Sequence, residues 1–178
     1  MQNITIIAMG KVQKGFMMDG CNEYIKRLKT MCNLKIVQLE DVQLMEKNLS
    51  DAMIQKTLDR EADEIIKNIP KQSYIISMCI EGKQISSEGL AQLFSEKAVE
   101  GFSNITFIIG SSHGLSDRIK QMSHFKMSMS KMTFPHQLAR VMLLEQTYRA
   151  FSIINGSKYH KKIKTDRRYH TYPCRFFV

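Results

Sequence analysis

No apolar run in this chain approaches the roughly 20 residues that cross a bilayer as a helix, so a membrane-spanning reading has no support. The first apolar run, Ile4–Met9, is short and lacks a preceding basic flank, so it reads as a strand and not as a signal peptide. Cysteine is scarce and irregular: Cys21, Cys32, Cys79 and Cys174 form no C-x-x-C pair. Reduced thiols in a cytoplasmic protein are therefore expected, with no disulfide framework. The five histidines lack ligand spacing as well, with no H-x-x-x-H and no cysteine nearby except Cys174 beyond His170. No metal site is expected. Acidic residues are outnumbered, 17 against 26 Lys and Arg, which leaves a net charge of +9. Five basic residues against Asp166 place +4 of it in residues 162–178 and +5 in residues 1–161. Such an excess suits an anionic partner, nucleic acid above all. Internal repeats and low-complexity linkers are also missing. The 178 residues are thus expected to form one domain that buries about 70% of its unfolded surface.

What is present is an alternation. Strands are expected at 3–9, 34–39, Tyr74–Ile80, Ile105–Ile109 and Phe125–Met129. Helices are expected at 14–31, 50–69, Ser87–Val99, briefly after Ser116, and last through Phe151. In the first helix Met17, Gly20, Tyr24, Leu28 and Met31 recur at helical spacing, with Asp19, Glu23, Lys26 and Lys29 outside. Ser50 suits a cap for the second helix, and Pro70 a stop. The pattern predicts an α/β fold, a mostly parallel sheet with helices on both faces. Sheets of this kind bind ligands beyond the carboxyl ends of their strands. Three loops there are suitably built: Ser77–Lys83, Gly110–Gly114 and Ser130–His136. Gly82, Gly110 and Gly114 either let a ligand approach the backbone or simply make turns.

The stretch Ser128–Phe151 carries the most information. A short polar strand end runs into Thr133-Phe134-Pro135-His136, and the helix that follows lacks a charged outer face. Val141, Leu144, Tyr148 and Phe151 cover one side of it, while Met142, Leu143, Ala150 and Ile154 cover much of the rest. A helix apolar all round is buried all round. In a short chain that predicts packing on its own sheet and on a second copy. Within it Glu145 and Arg149 stand at i,i+4 and can pair. Gly110-Ser111-Ser112-His113-Gly114 also matches the G-x-S-x-G of a serine nucleophile elbow, between a strand and a helix. Against a hydrolase, the only acid soon after Ser112 is Asp117, which falls in the next helix start and not at a strand end.

Lys131–His136 continuing through Gln137-Leu138-Ala139-Arg140-Val141, then Glu145–Phe151 and Tyr159-His160-Lys161, resembles the large-subunit rRNA methyltransferase H family of small SPOUT-class enzymes. Ile6–Lys11, Glu23-Tyr24-x-x-Arg27 and Gly82-Lys83-x-x-Ser86-Ser87-Glu88 resemble it too, so the likeness spans residues 1–161. The resemblance implies a homodimer with a C-terminal trefoil knot. It implies methyl transfer from S-adenosyl-L-methionine to N3 of a pseudouridine in 23S rRNA of the assembled 70S ribosome. The cofactor pocket it implies maps onto Met78, Gly110, Met129, Ser130, Lys131, Met132, Thr133 and Phe134. Near the acceptor base it places His136, Arg140, Tyr159 and His160. Displacement at a sulfonium needs no metal. It needs donor and acceptor aligned and the N3 proton removed, for which a histidine or an ordered water serves. His160 is the first candidate to contact the base, and Tyr159 to stack or hydrogen-bond. Arg140 stays charged and better suits a phosphate or substrate than a proton.

Three departures from the family pattern stand out. Cys79 replaces a usual Asp, Ser111 replaces a second Gly, and the chain runs on through a basic tail, 162–178, without helical or strand periodicity. A relative that binds ribosomes without methylating them is the alternative these departures raise.

Overall fold

In a computed structural model that describes residues 1–41 and 50–160, five strands pair into one wholly parallel sheet of order β2-β1-β4-β3-β5. The strands are β1 (Asn3–Met9), β2 (Asn33–Leu39), β3 (Ser73–Gln84), β4 (Asn104–Ile109) and β5 (Phe125–Ser128). The helices are α1 (Phe16–Leu28), α2 (Asp51–Lys67), α3 (Ser87–Val99), α4 (Asp117–Met122) and α5 (His136–Ile154). The basic 162–178 segment, with Cys174 and Lys161 before it, lies outside the described residues.

Two-residue alternation assigns each strand's side chains to two cores. Ile4, Ile6 and Ala8 join Ile105, Phe107 and Ile109 under α1, α3 and α5. Ile7, Met9, Ile75 and Ile108 face Ala62 and Ile65 of α2 and Ile119 of α4 on the other side. The crossovers from β1 to β2 and from β3 to β4 run one way along the sheet and carry α1 and α3 on one face. Those from β2 to β3 and from β4 to β5 run the other way and carry α2 and α4 on the opposite face. A single crossover handedness demands this division.

The expected alternation of elements is present, with shifted ends. The first helix starts only after Gly15, whose φ of +115° breaks the turn before it. It ends at Leu28, whose carbonyl accepts from both Met31 and Cys32 amides. Ser50 caps α2, its hydroxyl accepting from the Met53 amide at 3.3 Å.

The larger difference is β3. The sequence suggests a strand ending at Ile80 and a ligand-facing loop around Gly82. In the structure β3 bulges after Met78 and pairs again with β5, Lys83 opposite Met127 and Gln84 opposite Ser128. A Cβ at Gly82 would lie 2.7 Å from the Met127 carbonyl carbon and 2.8 Å from the Lys126 carbonyl. Glycine is needed there by the neighbouring strand. Gly82→Ala is therefore expected to cost about 1–3 kcal/mol by overpacking, read as a lower unfolding midpoint. An unchanged midpoint would show that β5 shifts freely.

Helix α5 lies between α1 and α3, and Gly20 of α1 permits the approach of Val141. Leu143, Leu144, Ala150 and Phe151 are buried against the sheet. Val141, Met142, Glu145, Tyr148 and Arg149 on the other side are half-buried. No residue from His136 to Ile153 is fully exposed within the chain itself.

Candidate active site

The bulged middle of β3 (Met78–Glu81) and the carboxyl ends of β4 and β5 open into one cleft of about 860 Å³, closed on one side by the segment 129–135 and the first turn of α5. That volume lies within the range of small-molecule sites. Met78, Gly110, Met129 and Ser130 line it, as do Met132, Thr133, Phe134 and His136. Of the residues the resemblance assigns to the cofactor, Lys131 alone is not part of the wall; its side chain is exposed.

Local geometry explains how the walls hold their shape. A Cβ on Gly110 would sit 2.0 Å from the Gly114 carbonyl oxygen, because the loop closes on itself through a bridge between Ser111 and Gly114. Gly114 takes φ +87°, a left-handed conformation that glycine adopts without strain. The opposite wall is tied by its own hydroxyls. Ser128 donates to the Ser130 carbonyl at 2.8 Å, and the Met132 amide donates to the Ser130 hydroxyl at 3.0 Å. Met78, Ile109, Leu115, Met127 and Phe134 supply apolar surface between these polar backbones. Such a lining suits a molecule with a flat apolar ring system and a polar tail.

Charges at the cleft are paired. Glu81 meets Lys120 of α4 at 2.7 Å, a partner that nothing in the sequence pattern of that short helix singles out. The ammonium holds the Glu81 carboxyl below its usual range, helped by a backbone amide. A lowered carboxylate contributes stability above its unfolded pKa and loses it as pH falls through the folded value. Glu81→Gln is expected to soften the acid-side loss of stability by no more than about 1 kcal/mol, since the Glu81 side chain is more than half exposed and screened by solvent. Unfolding midpoints across an acid titration measure this; identical acid limbs would make the pair inert. Cys79, also in the wall, has its thiol pushed up by burial and then by Glu81. Ser111 gives its hydroxyl to the buried Glu61 carboxylate of α2 at 2.9 Å, so this departure from the family pattern serves a neighbouring helix.

The hydrolase motif takes another form. Ser112 and His113 face each other at 3.3 Å on the exposed tip of the loop, and Asp117 opens α4. Adjacent residues on an exposed turn do not form the strand-to-helix elbow that the motif requires.

Arg140, Tyr159 and His160 are not in the cleft wall of their own chain. The Arg140 side chain is 1% exposed and turned inward. It donates to the carbonyls of Met9 at 3.0 Å and Gly10 at 3.1 Å, and to Gln38 Oε1 at 3.2 Å. Burial lowers its pKa. The guanidinium thus clasps the ends of β1 and β2 to α5. One helical turn earlier, His136 brings Nε2 to 3.3 Å from where a Gly10 Cβ would be. Glu145 and Arg149 pair as their spacing predicts, and the Tyr159 hydroxyl donates to Glu145 Oε1 at 3.1 Å. Tyr159 also meets the Tyr148 ring edge-on at 4.7 Å and lies under the Arg149 guanidinium. Burial, then hydrogen bonding to Tyr24 and the Glu145 charge, raise its pKa, so the phenol keeps its proton at neutral pH. His160 Nε2 pairs with Glu88 Oε1 at 2.8 Å at the start of α3. Glu88 as its partner is visible in the sequence only as the end of the Gly82–Glu88 motif.

Among the described residues, no group of three or more His, Cys, Asp or Glu side chains is placed to hold a metal. No described helix is long and apolar enough to cross a membrane.

Comparison with known proteins places this arrangement. A family model described as a predicted SPOUT methyltransferase matches residues 2–160. The chain is 48% identical over 159 residues to a protein of Methanococcus maripaludis named putative ribosomal RNA large subunit methyltransferase H, covering 89% of this chain and 99% of that one. It is 42% identical over 158 residues to the ribosomal RNA large subunit methyltransferase H of Halothermothrix orenii, with the same coverage. Among solved structures, a probable methyltransferase from Bordetella pertussis superposes with a TM-score of 0.50 at 11% identity, over 84% of this chain and 95% of that one. That last likeness concerns the fold alone.

Proposed function

From the premise that this chain belongs to the SPOUT methyltransferases, within the ribosomal RNA large subunit methyltransferase H family, we propose that it methylates ribosomal RNA from S-adenosyl-L-methionine. The finer reading is transfer to N3 of a pseudouridine in 23S rRNA of the assembled 70S ribosome, in the cytoplasm. One observation carries it: the middle of β3, the loop after β4 and the segment after β5, far apart in sequence, converge on a single cleft. Together with His136 at the start of α5, they bring with them eight of the residues implied by the resemblance.

The residues present fit the cofactor. Gly110 and the segment Met129–Phe134 would offer backbone groups to an adenine and a methionine tail, while Met78 would supply apolar surface. When bound, the cofactor supplies an electrophilic methyl group on a sulfonium. The chain's own work is to hold the two reactants in line, to exclude water, and to accept the N3 proton. His136 stands at the cleft to help position the base. Tyr159, protonated, is a hydrogen-bond donor.

The reading also calls for a second copy. Ser87 donates to Gln146 at 2.7 Å, which pins the start of α3 ten residues along α5 from His136. At the helical rise that is about 15 Å. His160, bound to Glu88 beside Ser87, is thus held away from its own cleft. In the proposed homodimer the half-buried face of α5 is the contact, and the Tyr159-His160 pair serves a partner's cleft. The trefoil knot of the family belongs to this same proposal, as does the assignment of activity to residues 1–161.

The direct test is labelled methyl transfer to assembled ribosomes that lack the modification, with mass spectrometry locating the label. Label on N3 of one large-subunit pseudouridine supports the reading, and cofactor binding without transfer to any ribosome overturns it. Activity is expected to be weak on short rRNA fragments, and RNA binding to fall steeply with salt. Comparable turnover on an isolated stem-loop would contradict the need for the assembled ribosome.

A further inference from the structure

We infer that the β1–α1 loop with the first residue of α1, from Lys11 to Phe16, is a preformed platform for single-stranded RNA at the cleft mouth. On this platform Phe16 stacks a base while Lys11 and Lys14 meet phosphates. The inference rests on the methyltransferase reading and assigns to its RNA substrate a surface outside the cleft.

Three observations carry it. Phe16 is 76% exposed, and both neighbouring lysines are exposed with it. A single exposed phenyl ring means little by itself. This one sits beside cations, the combination that binds single strands by stacking and charge. Secondly, the segment before it is held from several sides. Val12 is buried, and its amide donates to Gln38 Oε1 at 3.1 Å. The Gln13 amide donates to Gln137 Oε1 at 3.1 Å, and Arg140 clasps the Gly10 carbonyl at 3.1 Å. A platform tied down in this way loses little freedom when a ligand binds. Thirdly, its ties lead to the cleft. Gln137 follows His136, whose Nε2 would touch a Cβ at Gly10, and His136 is part of the cleft wall. Phe16 is six residues past Gly10, so even a fully extended chain keeps it within about 20 Å.

The nearby acids do not close the site. Lys11 reaches Glu40 at 3.4 Å, but both side chains are highly exposed. A solvated pair of this kind holds its partners weakly and yields readily to phosphate. Asp41 faces Gly10, six residues before Phe16, with its carboxylate 3.5 Å from where a Gly10 Cβ would be.

The chain contains no tryptophan, so Phe16→Trp provides a single fluorescent reporter at the platform. With the full chain, a uridine-rich single-stranded oligonucleotide and, separately, unmodified ribosomes are expected to quench it. Phe16→Ala is expected to weaken ribosome binding about tenfold. Cofactor affinity and sedimentation are expected to stay unchanged, and Phe16→Tyr to restore binding. Ribosome binding without quenching, or Phe16→Ala binding at full strength, overturns the platform. A Phe16→Ala chain with altered sedimentation assigns the ring to a contact between copies and also overturns it. Absence of methyl transfer in the unsubstituted chain is a separate failure, that of the methyltransferase reading, because quenching requires no turnover.

Discussion

A His160→Ala chain is expected to bind S-adenosylmethionine like the unsubstituted protein while methyl transfer to ribosomes falls about 10²–10⁴-fold, the range for a removed acid–base group. The two halves of this expectation have separate physical grounds. The imidazole is not part of the cleft wall of its own chain, so the cofactor surface stays intact when it is removed. Among the described residues its hydrogen bond is with the half-exposed Glu88, so little stability goes with it. The loss of rate follows if a second copy's cleft receives His160 beside the base. Single-turnover transfer and calorimetric cofactor titration on the same preparation separate the outcomes. Lost cofactor affinity would assign His160 to the wrong role. Retained transfer would leave proton removal to His136 or to water. Mixed dimers of His160→Ala chains with cleft-defective chains add a further readout, since residues supplied across an interface restore one working site.

Gly110→Ala is expected to have the second largest effect: loss of cofactor affinity by tenfold or more, with about 1–3 kcal/mol of stability. The added methyl would fall 2.0 Å from the Gly114 carbonyl oxygen and 3.0 Å from Leu115 Cγ. Neither end of that contact is a flexible side-chain tip, so the loop between β4 and α4 must open. Opening it moves the wall contributed by Gly110 to Leu115. Gly114→Ala is the informative contrast. It meets no atom within 4 Å but must hold φ +87°, a strain of about 1–2 kcal/mol. Its effect should be on stability more than on affinity. Equal cofactor affinity in Gly110→Ala and the unsubstituted chain would remove this loop from the cofactor site.

The two glycine cases show where local sequence stops being informative. Gly82 and Gly110 look alike in the chain, each at the end of an apolar strand and each compatible with a turn or a ligand. Gly82 proves to be crossed by the backbone of β5, and Gly110 by its own loop. Contact between Gly82 and a strand about 45 residues further on leaves no periodic mark, and neither does the closure of the Gly110 loop on Gly114. Arg140 is a similar case. Within helix α5 it reads as a free cation near an RNA site. Its burial depends on two carbonyls and an amide oxygen at the ends of β1 and β2, more than a hundred residues earlier. His160 likewise meets its partner Glu88 only through the packing of α3 on α5.

What the sequence by itself determined is whatever is written in the order of side chains along one element. The near-continuous apolar runs Ile4–Met9 and Ile105–Ile109 specified strands buried on both faces, and the all-round apolar helix from Leu138 specified one with no fully exposed residue up to Ile153. The Ser50 cap, the Glu145–Arg149 pair and the family motifs were legible for the same reason, since each spans only a few residues. Only the tertiary structure decided the strand order, the second half of β3, the inward turn of Arg140 and the distance between His160 and its own cleft. These depend on which backbone lies against which, a quantity set by packing the whole sheet and its helices at once. A periodic pattern says which face is apolar, and only close packing says what that face will meet.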